Sequence, residues 1–151
     1  MLHYFFCFFI LRREDLSGMN TLHTIWQFHW LLEHWQEIDN ETTRQAVLMM
    51  MHENYQAKGI PNTAWMNALL NGIHCEKNPL IASTLTNYLS SPLQEISSAE
   101  RDKIENELYK LSHSHPIPSC RIQLLRLLIT EAASPTMIQC LYSLWETERV
   151  Q

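Results

Sequence analysis

From Asn20 onward the chain breaks into stretches of about fifteen residues, and nearly every stretch opens on a helix-start signal. Asn78-Pro79 joins a good capping side chain to a residue whose fixed φ suits the first helical turn, and Ser134-Pro135 repeats the device. Pro61-Asn62 opens another stretch, Ser97 and Glu100 have capping-box spacing, and Ser119 follows the two prolines of "SHSHPIPS". Asp39 or Asn40 caps the stretch that follows "DNETT". Such punctuation leaves little room for any fold not built from short helices.

The apolar residues between these signals keep helical spacing. The first segment, Thr21 to about Ile38, aligns Ile25, Phe28, Leu32 and Trp35. The second, to about Lys58, aligns Val47, Leu48, Met51 and Tyr55, and Gly59 stands where a left-handed cap residue belongs. The third carries Trp65, Leu69, Leu70 and Ile73; the fourth carries Leu80, Ile81, Leu85, Tyr88 and Leu89 and should stop at Pro92. A fifth uses Ile104, Leu108 and Leu111. In the sixth, Leu124, Leu125, Leu127, Leu128 and Ile129 leave little polar face, which argues for a central position. The last shows Met137, Ile138, Leu141, Leu144 and Trp145. Only three glycines interrupt 151 residues rich in Leu, Met, Glu and Gln, so the fold class is all-α. About seven helices joined by short loops make antiparallel neighbours, either as stacked pairs or as a compact bundle. No strict internal period decides between them.

Residues 1–20 stand apart from the helical domain at 21–151. "YFFCFFIL", Tyr4–Leu11, is intensely apolar but far shorter than the roughly 20 residues a membrane helix needs. A secretory signal carries its positive charge before the apolar run, whereas here "RRED" follows it. The segment reads as a buried strand or helix turn, or as sequence upstream of a true start at Met19. No membrane is expected as partner. A net charge of −5 with scattered basic residues gives no reason to expect nucleic acid either. Cys7, Cys75, Cys120 and Cys140 are widely separated and read as buried free thiols, which leaves the compartment undetermined.

Candidate chemistry begins with "MMMHENYQAKG", Met49–Gly59. His52-Glu53 starts like a zinc-peptidase helix, His-Glu-x-x-His, but Gln56 occupies the second ligand position. The other histidines, at 3, 23, 29, 34, 74, 113 and 115, lack ligand spacing. His29 and His34 turn away from a shared face, His74-Cys75 is a bare dipeptide, and His113 and His115 flank Ser114 in a loop able to hold a metal only weakly. In "IWQFHWLLEHW", Trp26 and Trp30 meet on one helix face and read as packing residues, or as a docking surface where exposed. Glu105 and Glu107 read as part of a solvated face. No Gly-x-Ser-x-Gly elbow or phosphate loop is present, so no catalytic, cofactor-binding or metal-ligating residue is assigned.

Three stretches together carry a family resemblance. "EHWQEIDNETTRQAVLMMMHENYQAKGI", "LLNGIHCEKNPLIASTLTNYLSS" and "RIQLLRLLITEAASPTMIQCLYSLWE" resemble, in that order, segments of the C-terminal helical domain of bacterial aminopeptidase N-like zinc metallopeptidases (gluzincins), closest to Bacteroidetes-type sequences. The resemblance spans roughly Leu32 to Gln151, and its motifs are structural. It implies an armadillo/HEAT-like superhelix of antiparallel helix pairs, with a compact bundle as the alternative. It further implies a non-catalytic domain, a fragment or a stand-alone copy, that packs over the enzyme's thermolysin-like catalytic domain and restricts peptide access to the zinc. Zinc belongs to the parent's catalytic domain, not to this chain. The family's Gly-x-Met-Glu-Asn loop and His-Glu-x-x-His are both absent, and Asn54 after Glu53 lacks the preceding Gly-x-Met, so no family site residue is carried over. The partner implied is that catalytic domain or another protein, with peptide at a concave face. The compartment implied is bacterial cytoplasm or periplasm. The alternative function is a helical-repeat protein-interaction module unrelated to peptidases.

Overall fold

In the computed structural model, residues 21–149 are described, with side chains for 28–147. Tyr4–Leu11, Met19, His3, Cys7 and the side chains of His23, Ile25 and Trp26 lie outside that range. All regular structure among the described residues is helical. α1 (Thr21–His34) runs into a 3-10 turn at Trp35–Glu37. It is followed by α2 (Glu41–Gln56), α3 (Asn62–Cys75), α4 (Pro79–Tyr88), the short α5 (Ser90–Glu95), α6 (Ser98–Ser114), α7 (Pro118–Glu131) and α8 (Pro135–Arg149).

The start signals work with some reassignment. Asn40 rather than Asp39 caps α2, its Oδ1 accepting from the Thr43 N–H at 2.9 Å. Asn78 Oδ1 accepts from the Leu80 and Ile81 N–H groups, and Pro79 occupies the first turn of α4. Ser97 precedes α6, but its hydroxyl donates to the Glu100 carboxylate at 2.8 Å instead of accepting from the backbone. α7 begins at Pro118, one residue before the expected Ser119, because proline at the first helical position needs no N–H partner. Pro92 does not stop α4. The chain breaks earlier, at Leu89, and Pro92 sits in the opening turn of α5, where an N–H is not required.

The end of α2 also differs from expectation. Lys58 adopts the left-handed conformation, at φ 62°, while no glycine has a positive φ. Its N–H donates to the Tyr55 carbonyl and the Gly59 N–H to the Asn54 carbonyl, which is the paired pattern of a Schellman cap shifted by one residue. Gly59 is needed for another reason: a Cβ there would lie 2.2 Å from Asn54 Oδ1. The close approach, not the dihedral, demands glycine.

The helices pack in successive layers. α1 meets α3 and α2 meets α4; α3 and α4 pair; α4 then meets α7, α7 pairs with α6, and α8 packs on α6. α5 is wedged against α3, α4 and α7. α7 is therefore central, as its apolar sequence suggested. One continuous core runs from Leu31 and Trp35 through Val47, Met51, Trp65, Ile73 and Leu85 to Leu108, Leu124, Leu128 and Met137. Leu80 is the clear miss on α4, since it faces solvent at 62% exposure. Trp35 is fully buried, and a Cβ on Gly72 of α3 would lie 2.6 Å from its ring carbon Cζ2.

That contact yields a test. Gly72→Ala should gain helix propensity of about 1 kcal/mol, yet it forces the Trp35 ring out of a closed core at a cost of about 1–3 kcal/mol. A lowered midpoint in chemical unfolding is expected; an unchanged or raised midpoint removes Trp35–Gly72 packing as a constraint.

Candidate functional site

The His52-Glu53 helix start lies on α2 where it faces α3 and α4. His52 stacks on Tyr88 of α4 with ring centroids 3.8 Å apart and planes 9° from parallel. Trp65 of α3 lies 6.0 Å from both His52 and Tyr55, and 6.2 Å from Tyr88. Tyr55 donates its hydroxyl proton to Asn62 Oδ1, and Asn62 Nδ2 donates to the Pro92 carbonyl, so the ring cluster is tied to α5. The spacing that first suggests a metal helix thus builds a helix-to-helix aromatic clasp.

Its electrostatics follow from the packing. Burial pushes the His52 pKa below its ordinary 6.5, with the Glu53 carboxylate pulling weakly the other way. Burial likewise raises the Tyr88 phenol, and Glu53 adds to that shift. Gln56 Nε2 lies 3.1 Å from His52 Nε2, and His52 Nδ1 is enclosed without a partner among the described residues. Gln56 therefore pairs with the imidazole rather than replacing a ligand.

The remaining candidates separate. His29 and His34 meet Glu33 and Glu37 on the exposed side of α1, and His34 stacks on Trp30 at 4.7 Å. Trp30 itself is 44% exposed. His74 Nε2 lies 2.9 Å from Glu107 Oε1 and joins the end of α3 to α6, while Cys75 is exposed. The thiol expectation thus holds for Cys120, is half met by Cys140 and fails for Cys75. His113 is not in a loop: it belongs to the last turn of α6, with Nδ1 2.8 Å from the Tyr109 carbonyl. His115 is buried, its Nε2 donating to the Ile73 carbonyl at 2.8 Å and its Nδ1 accepting from the Ile117 N–H. These two rings cannot share a metal. Among the described residues no three His, Cys, Asp or Glu side chains converge as metal ligands, and no helix is long and apolar enough to cross a membrane.

Glu105 overturns its reading as a solvated residue. It is fully buried and accepts from Arg101 Nε at 2.8 Å, the Ala133 N–H at 2.9 Å, the Ser134 N–H at 3.1 Å and the Ser134 hydroxyl. Arg101 also donates to the Leu93 and Glu131 carbonyls. One ion pair therefore fastens the end of α5, the end of α7 and the start of α8 to α6. Burial alone would raise the Glu105 pKa. The hydrogen bonds from Ser134, Ala133 and Arg101 outweigh it and hold the carboxyl below its ordinary 4.5. Sequence spacing gave no signal for this role, since the partners lie 28 and 29 residues away. Arg44 and Glu76 do related work at the other end: Arg44 pairs with Glu76 at 3.3 Å and donates to the Ile38 and Asp39 carbonyls, while Glu76 accepts from the Lys77 and Asn78 N–H groups.

Two pH responses follow, in different windows. The folded pKa of His52 is depressed, so its contribution is complete above about 6.5 and declines as pH falls below that value. Replacement by a ring that does not titrate there, His52→Tyr, should be tolerated and should remove this step from an unfolding-midpoint profile between pH 7 and 5. An identical step in the variant rules His52 out as its source. The Glu105 contribution is complete above 4.5 and is lost as pH falls through its lower folded value. Glu105→Ala should destabilise by about 3–5 kcal/mol at pH 7, because it strands the buried Arg101 charge. A loss below 1 kcal/mol would sink the clamp.

Comparison with protein-family models, with curated proteins and with solved structures finds no match for this chain.

Proposed function

We propose that this chain is a non-catalytic helical domain that acts by packing against another protein. The observation that carries the reading is an uncovered apolar flank at the α8 end of the stack. Ile138 and Tyr142 are each 51% exposed there, and Ile129 of the adjoining α7 is 65% exposed. Isolated exposed apolar residues are ordinary, but several at helical spacing on neighbouring helices are characteristic of a contact surface.

The resemblance supplies a specific partner, the catalytic domain of a zinc metallo-aminopeptidase. In that form of the reading the helices make a wall that limits which peptide ends reach the zinc. The residues of this chain then act by position alone: the Glu105 and Glu76 clamps hold the wall rigid, and the exposed flank meets the neighbouring domain. The second form keeps the packing role with a partner unrelated to peptidases.

A pull-down with the purified catalytic domain of a bacterial zinc metallo-aminopeptidase separates the two forms. Retention of the chain, with slower cleavage of long peptides than of short ones, is the result expected of the first form. Absence of retention leaves the second. Hydrolysis of an aminoacyl-anilide by the isolated chain, with metal bound stoichiometrically, would defeat both.

A further inference from the structure

The helices alternate between two tracks. α1 meets α3 and α6 meets α8 along one; α2 meets α4 and α4 meets α7 along the other. Since α6 pairs with α7, α8 opens a new pair on the first track. The second-track position beside α8 and over the far side of α7 is where the next helix of this order belongs.

Both walls of that position are apolar. Each step along a helix turns its side chain by about 100°. On α7, Cys120 and Gln123 face α4, where they meet Thr86 and Ser83. One step further round, Leu124 and Leu128 fill the core. One step beyond those come Ile122 and Ile129, 54% and 65% exposed and turned away from α4. On α8, Thr136 and Cys140 receive Asp102 and Tyr109 of α6, and Met137 is buried. Ile138 and Tyr142 lie on the flank away from those contacts, with Trp145 continuing the same row. The geometry points to one slot between the two rows, about two helical turns long on each wall.

Charge narrows the occupant. Arg126 lies exposed between Ile122 and Ile129 and has no carboxylate partner among the described residues. A second copy docking by two-fold symmetry would place like Arg126 charges on facing surfaces, which disfavours it. We propose that the slot takes an amphipathic α-helix of a partner protein, antiparallel to α8, with aliphatic residues at helical spacing and a carboxylate set against Arg126. This rests on the reading of the chain as a packing domain and names the element it receives.

Two hydrocarbon-stapled helical peptides of about four turns, with identical leucine rows and either Glu or Lys at the central rim position, test it against the full chain. The Glu peptide should bind at least ~10-fold more tightly, and Arg126→Glu should reverse the order. Ile129→Asp and Ile138→Asp should each weaken the Glu peptide ~10-fold or more while leaving the unfolding midpoint in place, since both side chains are already exposed. Equal affinity for the two peptides, or indifference to Ile129→Asp, overturns the proposal. A dimer in sedimentation that Ile129→Asp and Ile138→Asp dissociate also overturns it, by giving the slot to a second copy. A chain that binds a peptidase catalytic domain but neither peptide loses the slot and keeps the packing role; hydrolysis by the isolated chain removes the packing role itself.

Discussion

The buried Arg101–Glu105 pair is the constraint on which the later half of the structure depends. A carboxylate in a closed core is costly unless its lone pairs are filled, and here Arg101, two backbone N–H groups and one hydroxyl fill them. Those donors come from the loop that starts α8, and the paired arginine reaches carbonyls at the ends of α5 and α7. Apolar packing alone would let α8 slide along α6 with little loss, since leucine-lined faces accept many registers. The ion pair accepts one register. Arg44 and Glu76 repeat the logic at the junction of α2, α3 and α4, so directional polar contacts set helix order at both ends of the core.

Helix content was legible in the sequence because its causes are local. Capping residues and first-turn prolines act within four residues, and α2, α3 and α4 start where Asn40, Asn62 and Pro79 put them. The buried rows Val47–Leu48–Met51–Tyr55 and Trp65–Leu69–Leu70–Ile73 needed only the helical period. The errors have a different origin. Glu105 was read as solvated because its neighbours in sequence are polar, whereas the Ala133 and Ser134 donors arrive from a distant loop. Leu80 and Ile129 fit an apolar pattern yet face solvent, because periodicity tells which residues share a face but not whether a neighbour covers it.

The His52 cluster shows the same division at finer scale. His52-Glu53 resembles half of a zinc motif because both arrangements need an imidazole on one helix face. What differs is what stands opposite. A metal site needs convergent lone pairs; here Tyr88 and Trp65 present ring faces, and the nearest polar atom belongs to Gln56. A neutral imidazole packs well against a phenol ring, whereas a charged one needs water or an anion, and the depressed His52 pKa expresses that preference. The clasp therefore joins α2 to α4 through ring contact, with a weakness at acid pH built into it.

Stacked helix pairs have a difficulty that closed bundles avoid: each layer's outer face must be covered or made polar. Between α4 and α7 the cover is mutual, and Leu85, Leu124 and Cys120 are buried by it. At α8 only one side is covered. Met137 turns inward against α6, while Ile138 and Tyr142, each one residue further round from a buried or half-buried neighbour, remain open. A terminal helix relieved of any partner has no need for isoleucine and tyrosine on that flank; lysine and glutamate would keep it helical and better hydrated. The outer row therefore carries chemistry suited to being covered, and the polar clamp at Glu105 fixes α8 in the register that presents it. Stability and recognition meet at this point: the contact that orders α8 internally also determines the surface it offers.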